Sequence, residues 1–260
     1  MLNFSLHNHT YRCGHASGTE EEYILRAIKA GFHTFGFADH APHCYPKEHT
    51  VVGRMDVYGG LDEYCEKLFA LKEKYKGEID IKVGLETEYF PAYHEHTMER
   101  FRACGVEYIL LGQHMTANEG LPGARFVFHE DRDPAGLTKY IDQCIEGLST
   151  GLYTYVAHPD VYNSVGVDLD FMRAEYDRLI AKAVELNLPL EINLLGLGGG
   201  RHYPSPVFWE RAAKANAKAV LGCDAHEPDR VYHAETVEKG YRFADKYQIE
   251  VVKSVDLVRL

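Results

Sequence analysis

Seven short runs rich in β-branched and aromatic residues punctuate the chain, and each is followed by a longer stretch of helical patterning. They lie near 3–8 (NFSLHN), 34–38 (TFGFA), 80–86 (DIKVGLE), 107–112 (EYILLG), 153–157 (YTYVA), 188–193 (LPLEIN) and 219–223 (AVLGC). The segments near 20–31, 60–76, 93–103, 134–149, 169–187, 206–217 and 233–247 read as helices. Thr19 stands ahead of Glu21 and Glu22, and Pro134 and Pro206 sit where a first helical turn tolerates proline. A chain that alternates strand and helix must bring its strands back parallel, so the pattern confines it to a barrel-like parallel α/β fold. A last run at 249–254 (IEVVKS) is either an eighth strand or a closing edge. No linker or low-complexity stretch divides 1–260, a usual length for one α/β barrel, so a single domain is expected.

In parallel α/β barrels the C-terminal rim of the strands is where chemistry is built. The first strand ends in His7 and His9, which share one face of an extended chain; the second runs into Asp39 and His40. The third ends in Glu86 and Glu88, the fourth in His114, the fifth in His158 and Asp160. The seventh ends in Asp224 and His226, again two apart. A single histidine at a strand end is usually a solvated loop residue. Six strands each delivering a histidine or carboxylate to one rim are better explained as metal ligands. With His15, which follows the first pair, the set is His7, His9, His15, His40, Glu86, His114, His158, Asp224 and His226. One tetrahedral ion needs three or four ligands, so this set suits two or three ions, with carboxylates free to bridge. Such sites lower the pKa of a shared water and neutralise charge on a phosphoryl group. His94 and His96 repeat the spacing inside an expected helix, where such residues diverge, and read as surface positions. Cys13 and Cys223 lie near the site as thiolate candidates, but Cys223 alternates with Asp224 and reads as core.

The formal net charge of −11 argues against a broad nucleic-acid surface, yet leaves room for a small anionic substrate drawn to a local cluster of cations. No apolar run approaches the roughly 18 residues of a membrane span, so no membrane partner is expected. The N-terminus shows no basic segment followed by an apolar one, and the six cysteines form no CxxC pair. A cytoplasmic enzyme with reduced thiols is therefore expected.

The motifs HNHTYRCGHASGT, GFADHAP, GLETEYF, LGQH, AHPD and CDAHEP, in this order, resemble the polymerase-and-histidinol-phosphatase (PHP) family, and most closely its stand-alone histidinol-phosphate phosphatases. The resemblance runs from residue 5 to about 230 and implies a distorted (β/α)7 barrel. It also implies three divalent ions (zinc, manganese or iron). His7, His9 and Asp224 would hold the first, Glu86 would bridge it to a second held by His114 and His158, and His15, His40 and His226 would hold the third. Glu86, Asp224 and His226 would then serve catalysis, with a metal-bridging hydroxide attacking the phosphorus of L-histidinol phosphate. The loop NLLGLGGGRHYPSP at 193–206 departs from the family pattern: Gly198 stands where an arginine follows Gly-Leu, and Arg201 comes three residues later. Arg201 either reaches the phosphate or is a solvated loop residue; Arg12 and His43 are weaker candidates for the same task, and Glu88, Asp160 or rim tyrosines for the cationic end. The departure leaves open another small phosphate ester, such as a nucleotide or cyclic phosphate. An amidohydrolase barrel would lack the late DxH pair, and a non-catalytic relative would have lost ligands that are all present here.

Overall fold

A computed structural model describes residues 2–46, 51, 53–118, 124–128 and 133–260. The seven expected strands form: β1 (Phe4–Ser5), β2 (Thr34–His40), β3 (Asp80–Thr87), β4 (Tyr108–Leu111), β5 (Tyr153–Val156), β6 (Leu190–Asn193) and β7 (Ala219–Gly222). All neighbours are parallel and lie side by side in chain order. Helices α1 (Glu20–Ala30), α2 (Gly59–Lys74), α3 (Pro91–Cys104), α4 (Pro134–Ser149), α5 (Leu169–Glu185), α6 (Leu194–Gly199), α7 (Pro206–Lys214) and α8 (Ala234–Tyr247) fill the connections. Thr19 closes a capping box with Glu22 at the start of α1, and Pro134 and Pro206 open α4 and α7. Helix α6 lies in the glycine-rich segment that the sequence suggests is a loop. Asn193 nucleates it by accepting from the Gly196 amide at 2.8 Å.

The sheet is a distorted barrel. β1 and β7 do not pair as strands; they meet just past their C-terminal ends, through a parallel bridge between Asn8 and Ala225. Two backbone bonds secure it, His9 N to Ala225 O at 2.9 Å and Asp224 N to His7 O at 2.8 Å. The barrel is thus stitched shut by the segments that carry its first and last candidate ligands. The run at 249–254 is not an eighth strand. It touches β7 by one bridge, Ala219 with Val251, after which Val252, Val255 and Leu257 pack against the barrel's inner residues.

Those inner residues include Phe4, Leu6, Tyr108, Leu110, Tyr155 and Val220, separate from the larger core between sheet and helices. The Tyr108 ring crosses the barrel interior, with its hydroxyl 2.5 Å from the Leu6 carbonyl and 2.8 Å from that of Phe37. It fits because residue 84 on β3 is glycine: a Cβ there would come within 2.2 Å of the ring. All six cysteines are free thiols, and among the described residues no helix is long and apolar enough to cross a membrane. Gly84→Ala is expected to cost at least about 1–3 kcal/mol in denaturant unfolding, the usual overpacking penalty. An unchanged midpoint would show that the interior is looser than this.

Candidate metal centre

The register of β2 against β3 sets His40 directly beside Glu86, and the closing stitch brings His7 and His9 to Asp224. His7 Nε2 lies 3.1 Å from His9 Nε2, 3.4 Å from Glu86 Oε2 and 3.6 Å from Asp224 Oδ1. His9 Nε2 is 3.5 Å from Glu86 Oε2 and 3.2 Å from Asp224 Oδ1. The other Glu86 oxygen, Oε1, is 2.7 Å from His158 Nε2 and 3.5 Å from His114 Nε2. Towards the mouth, His15 Nε2 and His226 Nε2 approach to 3.1 Å, with His40 beside them. All nine residues singled out in the sequence converge. The space for Glu86 exists because residue 112, just past β4, is glycine; a Cβ there would sit 2.0 Å from Oε1.

Four of these imidazoles have their tautomer set by an acceptor that cannot donate. Nδ1–H of His7 donates to Glu191 Oε2 (2.8 Å), that of His114 to Glu88 Oε1 (3.0 Å), that of His15 to the Cys13 carbonyl (2.9 Å), and that of His226 to the Asp224 carbonyl (3.0 Å). Each therefore turns an Nε2 lone pair towards the cluster. Converging lone pairs repel unless a cation lies among them. The carboxylates tell the same story. Both Glu86 oxygens and Asp224 Oδ1 are buried and accept no hydrogen bond, a costly state for an ionised group unless a cation completes it. The donor set fits divalent metal ions, and among the described residues several three-ligand groups occur within it.

Electrostatics follow the same geometry. Burial opposes ionisation of Glu86, but His114, His7, His158 and His40 hold its carboxyl well below the usual range. Asp224 is likewise held down against burial by His7, His9 and His226. Burial and the neighbouring His226 push His9 down to about 3, while burial, Arg54 and His9 depress His40. His7 goes the other way: burial lowers it, but Glu191, Asp224 and Glu86 together raise it. Backbone strain gathers here too. His158 (φ 28°) and Asp224 (φ 46°) occupy the left-handed region, which side chains of this kind enter only where the surroundings enforce it.

The other candidates divide. Arg201 reaches the wall of the cavity over the cluster, about 560 Å³ in volume, with Nη1–H donating to the Tyr203 hydroxyl at 2.8 Å. Arg12 does not: its Nε–H donates to Glu20 at 2.5 Å, away from this cavity. His43 stands behind Glu88, 3.2 Å from Oε2, rather than in the cavity. Glu88 is not available to a substrate amine, because it is buried and accepts from Arg54 (2.8 Å), His43 and His114. Asp160 is also buried, and accepts from the Ser205 amide. Asp39 receives the Thr10 amide (2.8 Å) and hydroxyl (3.0 Å). Burial pushes Asp39 and Asp160 each up to about 7. The Cys13 thiol donates to the Thr10 carbonyl, and burial pushes it up to about 11. Cys223 packs in the core, as its alternation with Asp224 suggests. His94 is half-buried between Tyr89 and Tyr153, while His96 is exposed beside Glu99.

Three residues escape the sequence reading. Glu191 on β6 orients His7, and Asn193 bridges it to the site by donating to Glu191 Oε1 (2.6 Å) and Asp224 Oδ2 (2.9 Å). Arg54 lines the cavity. The strand motif LEIN carried a signal, since an acid in a short buried strand needs a partner. Arg54 carried none.

A protein-family model described as the PHP domain matches residues 5–195. The "Probable histidinol-phosphatase" of Deinococcus radiodurans is 30% identical over 244 residues, covering 92% of this chain and 89% of that protein. The histidinol-phosphatase of Bacillus subtilis is 31% identical over 94 residues, 34% of each chain. The crystal structure of a histidinol phosphate phosphatase from Lactococcus lactis, complexed with zinc, L-histidinol and phosphate, matches with a TM-score of 0.72 at 16% identity, over 98% of this chain and 100% of that one. At that identity the likeness speaks to the fold.

Glu191→Gln is expected to weaken metal binding by roughly 10–100-fold, the usual cost of losing a carboxylate that orients a ligating histidine. Chelator competition reads it directly, and wild-type affinity would mean that Glu191 does not orient His7.

Proposed function

The chain belongs to the PHP-domain family, and on that premise we propose that it is a metal-dependent phosphomonoesterase that hydrolyses L-histidinol phosphate to L-histidinol and phosphate. The observation that carries the chemistry is the set of converging imidazole Nε2 atoms around two buried carboxylates whose facing oxygens accept no hydrogen bond. The substrate assignment is supported by the D. radiodurans relative, which matches almost end to end.

In this reading His7, His9, Glu86 and Asp224 hold one ion, Glu86, His114 and His158 a second, and His15, His40 and His226 a third. Bound divalent ions supply Lewis-acid activation of water and neutralise charge on the phosphoryl oxygens. The protein's part is to keep Glu86 and Asp224 ionised and to hold each imidazole in a fixed rotamer and tautomer. Glu86, which faces two ion positions, and Asp224 and His226, which each face one, are assigned to catalysis. The histidinol moiety is left to the aromatic side of the cavity, where Phe126, Phe128 and Tyr203 stand, since Glu88 and Asp160 are engaged elsewhere. Arg201, at the same wall, is assigned to the phosphate. A Cβ at Gly198 would meet the Thr236 side chain of α8 at 3.1 Å. The whole of 1–260 acts as one domain in the cytoplasm, without nucleic-acid or membrane partners.

Elemental analysis of protein purified without chelators is expected to find about three divalent ions per chain, as the ligand count suggests. Full activity with one ion or fewer would overturn the multinuclear reading. His114→Ala and Asp224→Ala are expected to abolish hydrolysis while the chain stays folded, because the rim serves chemistry and the core serves stability. Near-wild-type turnover in either would refute the ligand assignment. The substrate is tested by a steady-state survey of phosphate esters. kcat/KM for L-histidinol phosphate should exceed that for p-nitrophenyl phosphate by roughly a hundredfold, the discrimination that two or three kcal/mol of contacts provide. A nucleotide or cyclic diester as the better substrate would displace the histidinol assignment and leave the hydrolytic chemistry standing.

A further inference from the structure

We propose that Asn193 is a positioning residue of this centre: by binding one oxygen of Asp224 it leaves the other as the single oxygen that this carboxylate offers to an ion. The inference rests on the metal-centre reading and goes beyond it by assigning how a ligand binds, not which residues bind. Asn193 ends β6 and is wholly buried. Its Nδ2 donates to Glu191 Oε1 at 2.6 Å and to Asp224 Oδ2 at 2.9 Å, and its Oδ1 accepts from the Gly196 amide at 2.8 Å. Both amide hydrogens and the carbonyl oxygen are thereby engaged. The partners also fix which way the amide points. Turned over, its oxygen would face two carboxylates and its NH₂ would face a backbone N–H.

The two carboxylates divide their oxygens accordingly. Glu191 gives Oε1 to Asn193 and Oε2 to His7 Nδ1–H, so it supports a ligand without being one. Asp224 gives Oδ2 to Asn193. Its Oδ1 is buried, accepts no hydrogen bond and lies 3.2 Å from His9 Nε2 and 3.6 Å from His7 Nε2. A carboxylate with both oxygens free can rotate, or take an ion through both. One whose second oxygen is tied in a buried site cannot do so without losing a charge-assisted hydrogen bond that water is not there to replace. The surroundings make room for this arrangement. Residue 222 on β7 is glycine, and a Cβ there would come within 2.2 Å of the Glu191 carboxyl carbon. The Asp224 backbone is pinned as well, its amide donating to the His7 carbonyl at 2.8 Å. Backbone and one oxygen are therefore fixed, and Oδ1 alone is left to face an ion. A single-oxygen aspartate keeps more of that ion's coordination open, as catalytic metal sites do.

The test uses the full chain and cobalt(II) alone as the probe, so that no substrate assignment enters. Asn193→Ser keeps a hydroxyl able to cap α6 and loses the amide's two donors. Asn193→Asp keeps an acceptor for the Gly196 amide and sets a third carboxyl beside two others. The serine variant guards against an aspartate variant that fails to fold. Both are expected to lower cobalt affinity by roughly tenfold or more in chelator competition. At saturation both should absorb less visible light per bound cobalt, because the freed Asp224 oxygen raises the coordination number. Affinity within about twofold of wild type in a folded serine variant would overturn the proposal. So would lower affinity with an unchanged cobalt spectrum, which would make Asn193 a general support for the fold. Wild-type protein that takes up no cobalt would overturn the metal-centre reading, and this proposal with it.

Discussion

The structure turns on one buried carboxylate. Glu86 lies at the end of β3, almost wholly out of solvent, with five histidines held against its two oxygens and no hydrogen bond to either. An ionised carboxylate taken out of water costs several kcal/mol unless cations answer it. His7 and His114 answer it poorly, because their Nδ1 protons point outward to Glu191 and Glu88. What satisfies both oxygens is positive charge placed between them and the Nε2 atoms. The donor set is one that a divalent cation would complete.

That need explains how the rest of the barrel is built. The β2–β3 register carries His40 to Glu86, glycine at 112 makes room for its side chain, and the backbone of the first and last ligand segments closes the sheet. The strained backbone at His158 and Asp224 falls at two of the candidate ligands. Below the rim, Tyr108 and the C-terminal segment fill the barrel interior with apolar bulk and one shared hydroxyl. Stability and chemistry thus occupy opposite ends of the same strands.

Much of this was legible in the sequence for a physical reason. Strand and helix periodicity report burial, and burial in a parallel barrel is regular, so all seven strands are found within a few residues of where the pattern puts them. Ligands are legible because the rim rule turns sequence position into spatial position. What orients the ligands is not. Glu191 and Asn193 lie on the one strand that brought no expected ligand, and Arg54 comes from a connection whose path no periodicity sets. Arg12, His43, Glu88 and Asp160 were read for substrate because charged residues near a site look available in sequence. Each is consumed by a partner, or turned away, that only the folded chain reveals.

The most direct test is anomalous diffraction from crystals grown without chelator, with data collected at the zinc, manganese and iron edges. Three peaks are predicted: one between Glu86 Oε2 and the His7, His9 and Asp224 donors, one between Glu86 Oε1 and His114 and His158, and one among His15, His40 and His226. A Glu86 carboxylate flanked by no peak, with its oxygens hydrogen-bonded to protein or water instead, would contradict the central claim.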